Sequence, residues 1–302
     1  MLNTGMMKKI KQLCCLSFLM TILFTSCVKE DFDDCVINTT RLNFKYFADG
    51  EQNVISDYVE EITLLVFDGS TGELIEEKTL SGSARVEDYF IEFKNLQPGE
   101  YSFIAWGNMS NQTLLSGSSN LSTAYVSAYS KDAQDPTLRS ADRLYYTRKD
   151  IEIKSIAKDT YDLNFRSAFI GFEVSVKGLS KVPKLHIDKL VQRLDMNMQV
   201  LGGTSDEFMP HVNSEQPNLF VSDFNILKPS TEFLTSTLSL ITEQGINHSV
   251  NIQDFIRVNY PSISILDSQE IKIRILFDFS DIDVKVTVPD WDIDDNTGSV
   301  ID

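Results

Sequence analysis

An all-β fold of two antiparallel β-sandwiches in series is predicted for this chain on three observations. Apolar and polar residues alternate with a period of two over many short stretches in both halves. Clusters of Gly, Pro, Asp and Asn separate those stretches, and amphipathic helical periodicity is almost missing. A length of 302 residues makes two domains the default, and 42% hydrophobic with 24% charged residues is a composition that buries real cores.

The chain opens with Lys8, Lys9 and Lys11, followed by an apolar run from Leu13 to Phe24. That run is too short to cross a bilayer as a mature helix and suits a cleaved targeting signal. Thr25, Ser26 and Cys27 follow at once, so residues 1–26 resemble a bacterial lipoprotein signal. Cleavage before Cys27 would leave it as the first mature residue, the expected lipidation site. Acyl chains contribute about 0.8 kcal/mol per buried methylene, and two chains hold where one only samples the membrane. A diacylglycerol and palmitate on Cys27 would tether the chain stably to outer-membrane lipid.

Residues 27–40 carry Lys29-Glu30-Asp31 and Asp33-Asp34 with little apolar content, which suits a solvated acidic tether. Lys29-Glu30-Asp31, one residue after the cysteine, is similar to the surface-export signal of Bacteroidetes lipoproteins. A cell-surface position follows from that similarity.

The first sandwich is expected over residues 41–157. Leu42, Phe44 and Tyr46 alternate with Asn43 and Lys45, and Arg41 stands just before this strand. Glu61 to Phe67 is too apolar to be half exposed and reads as a central strand. Asp68-Gly69-Ser70-Thr71-Gly72 turns the chain, and Glu73 to Leu80 returns as a hairpin partner. Tyr89, Ile91 and Phe93 line the next strand, and the Pro98-Gly99 turn leads into the strand Tyr101 to Trp106. Residues 108–140, rich in Ser, Asn, Gln and Thr, read as a long loop with one short helix near Leu121 to Tyr129. Strands resume at Ile151 and Ile153, then at Tyr161, Leu163 and Phe165.

The second sandwich is expected over residues 158–302. Ile170, Phe172, Val174 and Val176 form one face of its first strand. Leu185 to Leu194 fits either a helix or strands. Leu194, Met196, Met198 and Val200 alternate before the turn at Gly202-Gly203, and Leu234, Ser236, Leu238 and Leu240 give another strand. Ile271 to Phe279 and Ile282 to Val288 form a closing hairpin.

Net charge is −17, and loss of the leader leaves 24 basic against 44 acidic residues. A chain so acidic is repelled by phosphate backbones, so no nucleic-acid partner is expected. Cys14 and Cys15 leave with the leader, and Cys35 has no disulfide partner beyond the lipidated Cys27. Cys35 reads either as an inert small side chain or as a reactive thiol, although no cation flanks it. His186, His211 and His248 lie apart, with no carboxylate at triad or metal spacing. Asp290, Asp292, Asp294 and Asp295 begin like a calcium loop but lack its Gly and its terminal Glu. No catalytic residue, metal site or cofactor is expected, and the chain does not read as an enzyme.

Taken together, the lipoprotein signal, the tether ending at Asp33-Asp34-Cys35, the strand-turn-strand Glu61 to Leu80, and Leu96-Gln97-Pro98-Gly99-Glu100-Tyr101 through Trp106-Gly107-Asn108 resemble the FimB-type anchor subunits of Bacteroidales type V pili. Tyr161 to Phe165 and Phe172 to Val176 extend the resemblance into the second half. It implies two transthyretin-like sandwiches and a surface-exposed outer-membrane lipoprotein that tethers a fimbrium. Fimbrial pilin subunits are the implied partners, joined by β-strand complementation. Stalk pilins of this type lose a lipidated leader to an arginine- or lysine-directed protease, so Arg41 is the residue where such a cut would release this chain. Two other readings stand beside the anchor: a polymerising pilin released after Arg41, and a surface glycan-binding lipoprotein partnering a nutrient transporter, with Trp106 and Trp291 as a sugar-stacking platform.

Overall fold

A computed structural model shows paired β-strands as the main elements of the described residues. It describes residues 38–289 apart from 82–88, 111, 129–139, 156, 203, 206–208, 246 and 282–283. The expected leader, residues 27–37 of the expected tether with Cys27 and Cys35, Gly203 and the C-terminal residues with Trp291 lie outside the described residues.

The first half contains β1 (Asn38–Lys45), β2 (Glu61–Asp68), β3 (Leu74–Ser81), β4 (Phe90–Lys94), β5 (Gly99–Gly107), β6 (Thr113–Ser116), β7 (Tyr125–Ala128), β8 (Tyr145–Ile153), β9 (Ala157–Asn164) and β10 (Arg166–Ser167). A single helical turn, α1 (Ile55–Tyr58), follows β1. A three-stranded sheet in the order β4-β1-β9 packs on a five-stranded sheet in the order β10-β8-β5-β2-β3. Between them lie Leu42 and Phe44 of β1, Ile62, Leu64 and Val66 of β2, and Phe103 and Ala105 of β5.

The second half contains β11 (Phe169–Lys177), β12 (Lys184–Ile187), β13 (Leu190–Val191), β14 (Arg193–Asp195), β15 (Thr204–Ser205), β16 (Asn213–Gln216), β17 (Leu219–Leu227), β18 (Thr237–Ile241), β19 (Asn247–Asn251), β20 (Lys272–Asp278) and β21 (Lys285–Thr287). Its main sheet runs β16-β17-β11-β20-β21, with a smaller sheet β12-β18-β19. Helix α2 (Ile252–Asn259) is capped by the Asn251 side chain, which accepts from the Asp254 amide.

β2 is buried along its whole middle because its sheet is covered on both faces. Leu64 and Val66 enter the first core, while Leu65 and Phe67 join Ile104, Trp106 and Tyr146 in a second apolar cluster that continues into Phe172 and Val174. The expected central strand is therefore present. Its turn is fixed by the Asp68 carboxylate, which accepts from the Ser70 hydroxyl and from the Ser70 and Thr71 amides. Those bonds hold the carboxyl down to about 2. Gly72 sits at φ 73°, the left-handed conformation that the turn needs.

Four expectations change. β1 begins at Asn38, so the strand takes in Asn38 to Thr40, and Arg41 lies inside it rather than before it. Residues Leu121 to Thr123 form a turn and Tyr125–Ala128 a strand, in place of the short helix. Val126 and Ala128 are buried in the second apolar cluster, and β7 pairs with β14 of the second half. The segment that fitted either a helix or strands forms β12, β13 and β14. The alternation through Met196 and Met198 comes from a tight turn: the Asp195 carboxylate accepts from the Asn197 and Gln199 amides, and Met198 sits at φ 63°. The closing hairpin is present, with Phe277 opposite Val286.

Among the described residues the sheets are mainly antiparallel, with one parallel pair in each half. β1 lies between β4, antiparallel, and β9, parallel. β11 likewise lies between β17, antiparallel, and β20, parallel. β9 starts at Ala157 and carries Leu163 into the first core, so the first sandwich continues past the expected end at 157.

Candidate functional site: the first strand and its groove

β1 is the strand that leads from the N-terminal segment into the fold, and its side chains alternate strictly. Asn38, Thr40, Leu42 and Phe44 point inward and are buried, and the Asn38 amide donates to the Leu96 carbonyl at 2.6 Å and the Lys154 carbonyl at 3.3 Å. Phe44 meets Phe165 with ring centroids 5.9 Å apart. The outward set is Thr39, Arg41, Asn43 and Lys45.

Arg41 stands opposite Glu92 of β4 and Thr160 of β9, hydrogen-bonded strands on either side. Its guanidinium lies 3.7 Å from the centre of the Phe90 ring, and its Nε donates to Asn43 Oδ1 at 2.9 Å. Asn43 in turn donates to Asp162, and the Lys45 ammonium meets the same carboxylate at 2.6 Å. The Lys45 and Asn43 bonds hold the Asp162 carboxyl below its usual range. Arg41 is thus neither a residue ahead of the strand nor one on a free edge.

Immediately beyond β1, a polar clasp joins the halves. The hydroxyls of Tyr46 and Tyr145 both donate to Glu270 Oε1, at 2.5 and 3.0 Å, while Arg143 holds Oε2 at 2.8 Å. Burial first, then the bond to Glu270, pushes the Tyr46 hydroxyl well above the usual tyrosine range. The Gln269 amide donates to Asp49, and the Ser167 amide donates to Gln269 Oε1 at 2.8 Å. Lys228 is buried and donates to the Ser268 carbonyl at 2.7 Å. Sequence reasoning missed this clasp, because Tyr46 and Glu270 are 224 residues apart.

Trp106 and the histidines lie apart from one another. Trp106 is fully buried and cannot stack a sugar. His248 packs edge-on against Phe279 at 5.2 Å, and the His211 carbonyl accepts from Ser222. Among the described residues, no group of three His, Cys, Asp or Glu could hold a metal, and no helix is long and apolar enough to cross a membrane.

Comparison with known proteins is consistent with this architecture. The family model for the fimbrillin-A associated anchor proteins Mfa1 and Mfa2 matches residues 32–297. The chain belongs to that family. None of the curated proteins matches the sequence. Among solved structures, a candidate polysaccharide-binding protein from Bacteroides thetaiotaomicron aligns with a TM-score of 0.69 at 18% identity, covering 84% of this chain and 96% of that one. A candidate adhesin from Bacteroides ovatus gives 0.65 at 13%, covering 80% and 89%. The fimbrial anchor protein Mfa2 from Porphyromonas gingivalis gives 0.60 at 15%, covering 79% and 90%. These likenesses establish a shared fold. Membership of the anchor family makes this a fimbrial accessory protein of the cell surface, in a structural rather than an enzymatic family.

Proposed function

We propose that this member of the anchor family is a surface-exposed outer-membrane lipoprotein, held through diacylated Cys27, that tethers a fimbrium to the cell. Residues 27 to 37 are its tether, and two sandwiches follow it. Fimbrial pilin subunits are its partners, joined by strand complementation, in which main-chain bonds at a sheet edge give affinity and alternate side-chain pockets give register. In the first half, β3 and β9 are the long outer strands of their sheets.

One observation carries the reading of an anchor over that of a polymerising pilin. β1 fills the groove between β4 and β9 with the chain's own residues, and Arg41 sits at its middle with hydrogen-bonded strands on both sides. A protease must draw several residues into extended contact with its own cleft, which this strand cannot offer while paired. The pairing of β1 supports a link between lipid and fold that is kept. Burial of Trp106 removes half of the proposed glycan platform, so the transporter-partner reading gains nothing from the described residues.

Replacement of Cys27 by Ala tests the tether. Fractionation is expected to show the variant, or the fimbriae it carries, in the medium. Undiminished retention in the outer membrane would refute it.

A further inference from the structure

The topology of β1 bears on force, because a tether that holds a fimbrium is pulled. β1 and β9 are parallel over eight residues, in register from Asn38 with Ala157 to Lys45 with Asn164, and the Phe165 amide extends the ladder to the Lys45 carbonyl at 2.7 Å. The chain enters β1 at the Asn38 end. It leaves β9 at the Asn164 end, through β10, for the second half.

We propose that β1 is a shear clamp, a load-bearing strand whose parallel pairing with β9 makes all eight ladder positions resist a pull between the N-terminal tether and the second half together. This rests on the reading that the tether leaves from residue 38 under tension. A load reaching residue 38 draws β1 backward along its axis. A load arriving from anywhere beyond residue 164 draws β9 forward. The two pulls oppose each other along the strand axis, so no end of the ladder can open first. Had the strands been loaded from the same end, the bonds would break in succession at low force.

Three further features oppose sliding. β4 pairs antiparallel with the other side of β1, from Thr39 with Lys94 to Asn43 with Phe90, so a slip must break both ladders at once. A slip of one residue would turn Leu42 and Phe44 to the outside and force Arg41, Asn43 and Lys45 into the core. At the far end, Tyr46 is bound to Glu270 of the second half, which anchors the strand beyond its last ladder bond.

Forced unfolding reads the barrier along the direction of pulling, so the position of the handles decides the outcome. The experiment uses the chain from residue 27 without lipid, with Cys27 as one thiol handle and Cys35→Ser to remove the other thiol. The second handle is Ser180→Cys in one variant, which loads the pair in shear, and Ser155→Cys in another, which loads both strands from the same end. Ser155 and Ser180 are exposed, and Lys154→Cys repeats the second geometry if Ser155→Cys fails to fold. Single-molecule pulling at one loading rate is expected to give a rupture force several times higher for the 27/180 pair than for the 27/155 pair. Equal forces, or a stronger 27/155 pair, would overturn the clamp. Membrane release of Cys27→Ala is read separately, so loss of the force contrast and loss of the tether are distinguishable.

Discussion

The Tyr46 hydroxyl, one residue past the end of β1, donates to Glu270 Oε1 at 2.5 Å, and Tyr145 shares the same oxygen. The end of the first strand is thereby bonded to the loop ahead of β20, the strand that pairs parallel with β11. Glu270→Ala would strand two largely buried hydroxyls and the Arg143 guanidinium. Bonds to a charged acceptor contribute about 1.5–3 kcal/mol each, so a loss of about 2–4 kcal/mol is expected, with Glu270→Gln milder. Urea midpoints of both variants, with Tyr46→Phe for a double-mutant cycle, check this. A coupling near zero between Tyr46 and Glu270 would contradict it.

Arg41 gives a prediction about processing. The folded chain is expected to resist trypsin at Arg41 and to become cleavable there in denaturant. Mass spectrometry of the surface form should find the modified Cys27 as its first residue. A dominant product starting at Leu42 would favour the polymerising-pilin reading.

Lys228 gives a pH dependence. Burial, and then the nearby Arg166 charge, lower its ammonium pKa from the usual range to about 8. Between that value and about 10.4 the unfolded chain binds more protons than the folded one, so stability rises with pH across this window and the full cost is carried below it. The raised Tyr46 and Tyr145 hydroxyls act in the opposite sense, and only above about pH 10, where unfolded tyrosines begin to ionise. Lys228→Met should flatten the rise in urea midpoint between about pH 8 and 10. An unchanged slope would count against the assignment.

Phe44 tests the groove beneath β1. It is 1% exposed and packs against Phe165, so Phe44→Ala should cost about 3–5 kcal/mol. Phe90→Ala, on the outer face under Arg41, should cost far less. Thermal melts of the two variants separate these cases.

Features with local causes were legible in the sequence. β2 could be seen as central because a continuous apolar run suits a sheet covered on both faces, and its turn because Asp68 and Gly72 meet local demands. The closing hairpin was legible for the same reason. The start of β1 was hidden, since Asn38 and Thr40 are polar yet point inward, with Asn38 bonded to carbonyls from distant loops. β7 was hidden because its partner, β14, lies in the other half. The Met196 and Met198 spacing imitated a strand, while an aspartate-capped turn produced it. Glu270 carries no local motif, and only the fold brings it to Tyr46.

The parallel partner of β1 follows it by 119 residues, as Asn43 and Asp162 show. As the chain is made from its N-terminus, the first strand must wait for most of the first half to be synthesised before its neighbour exists. Closing so long an intervening stretch carries an entropic penalty and slows folding. The nascent first half therefore lacks one side of its leading strand until its last long strand has been made.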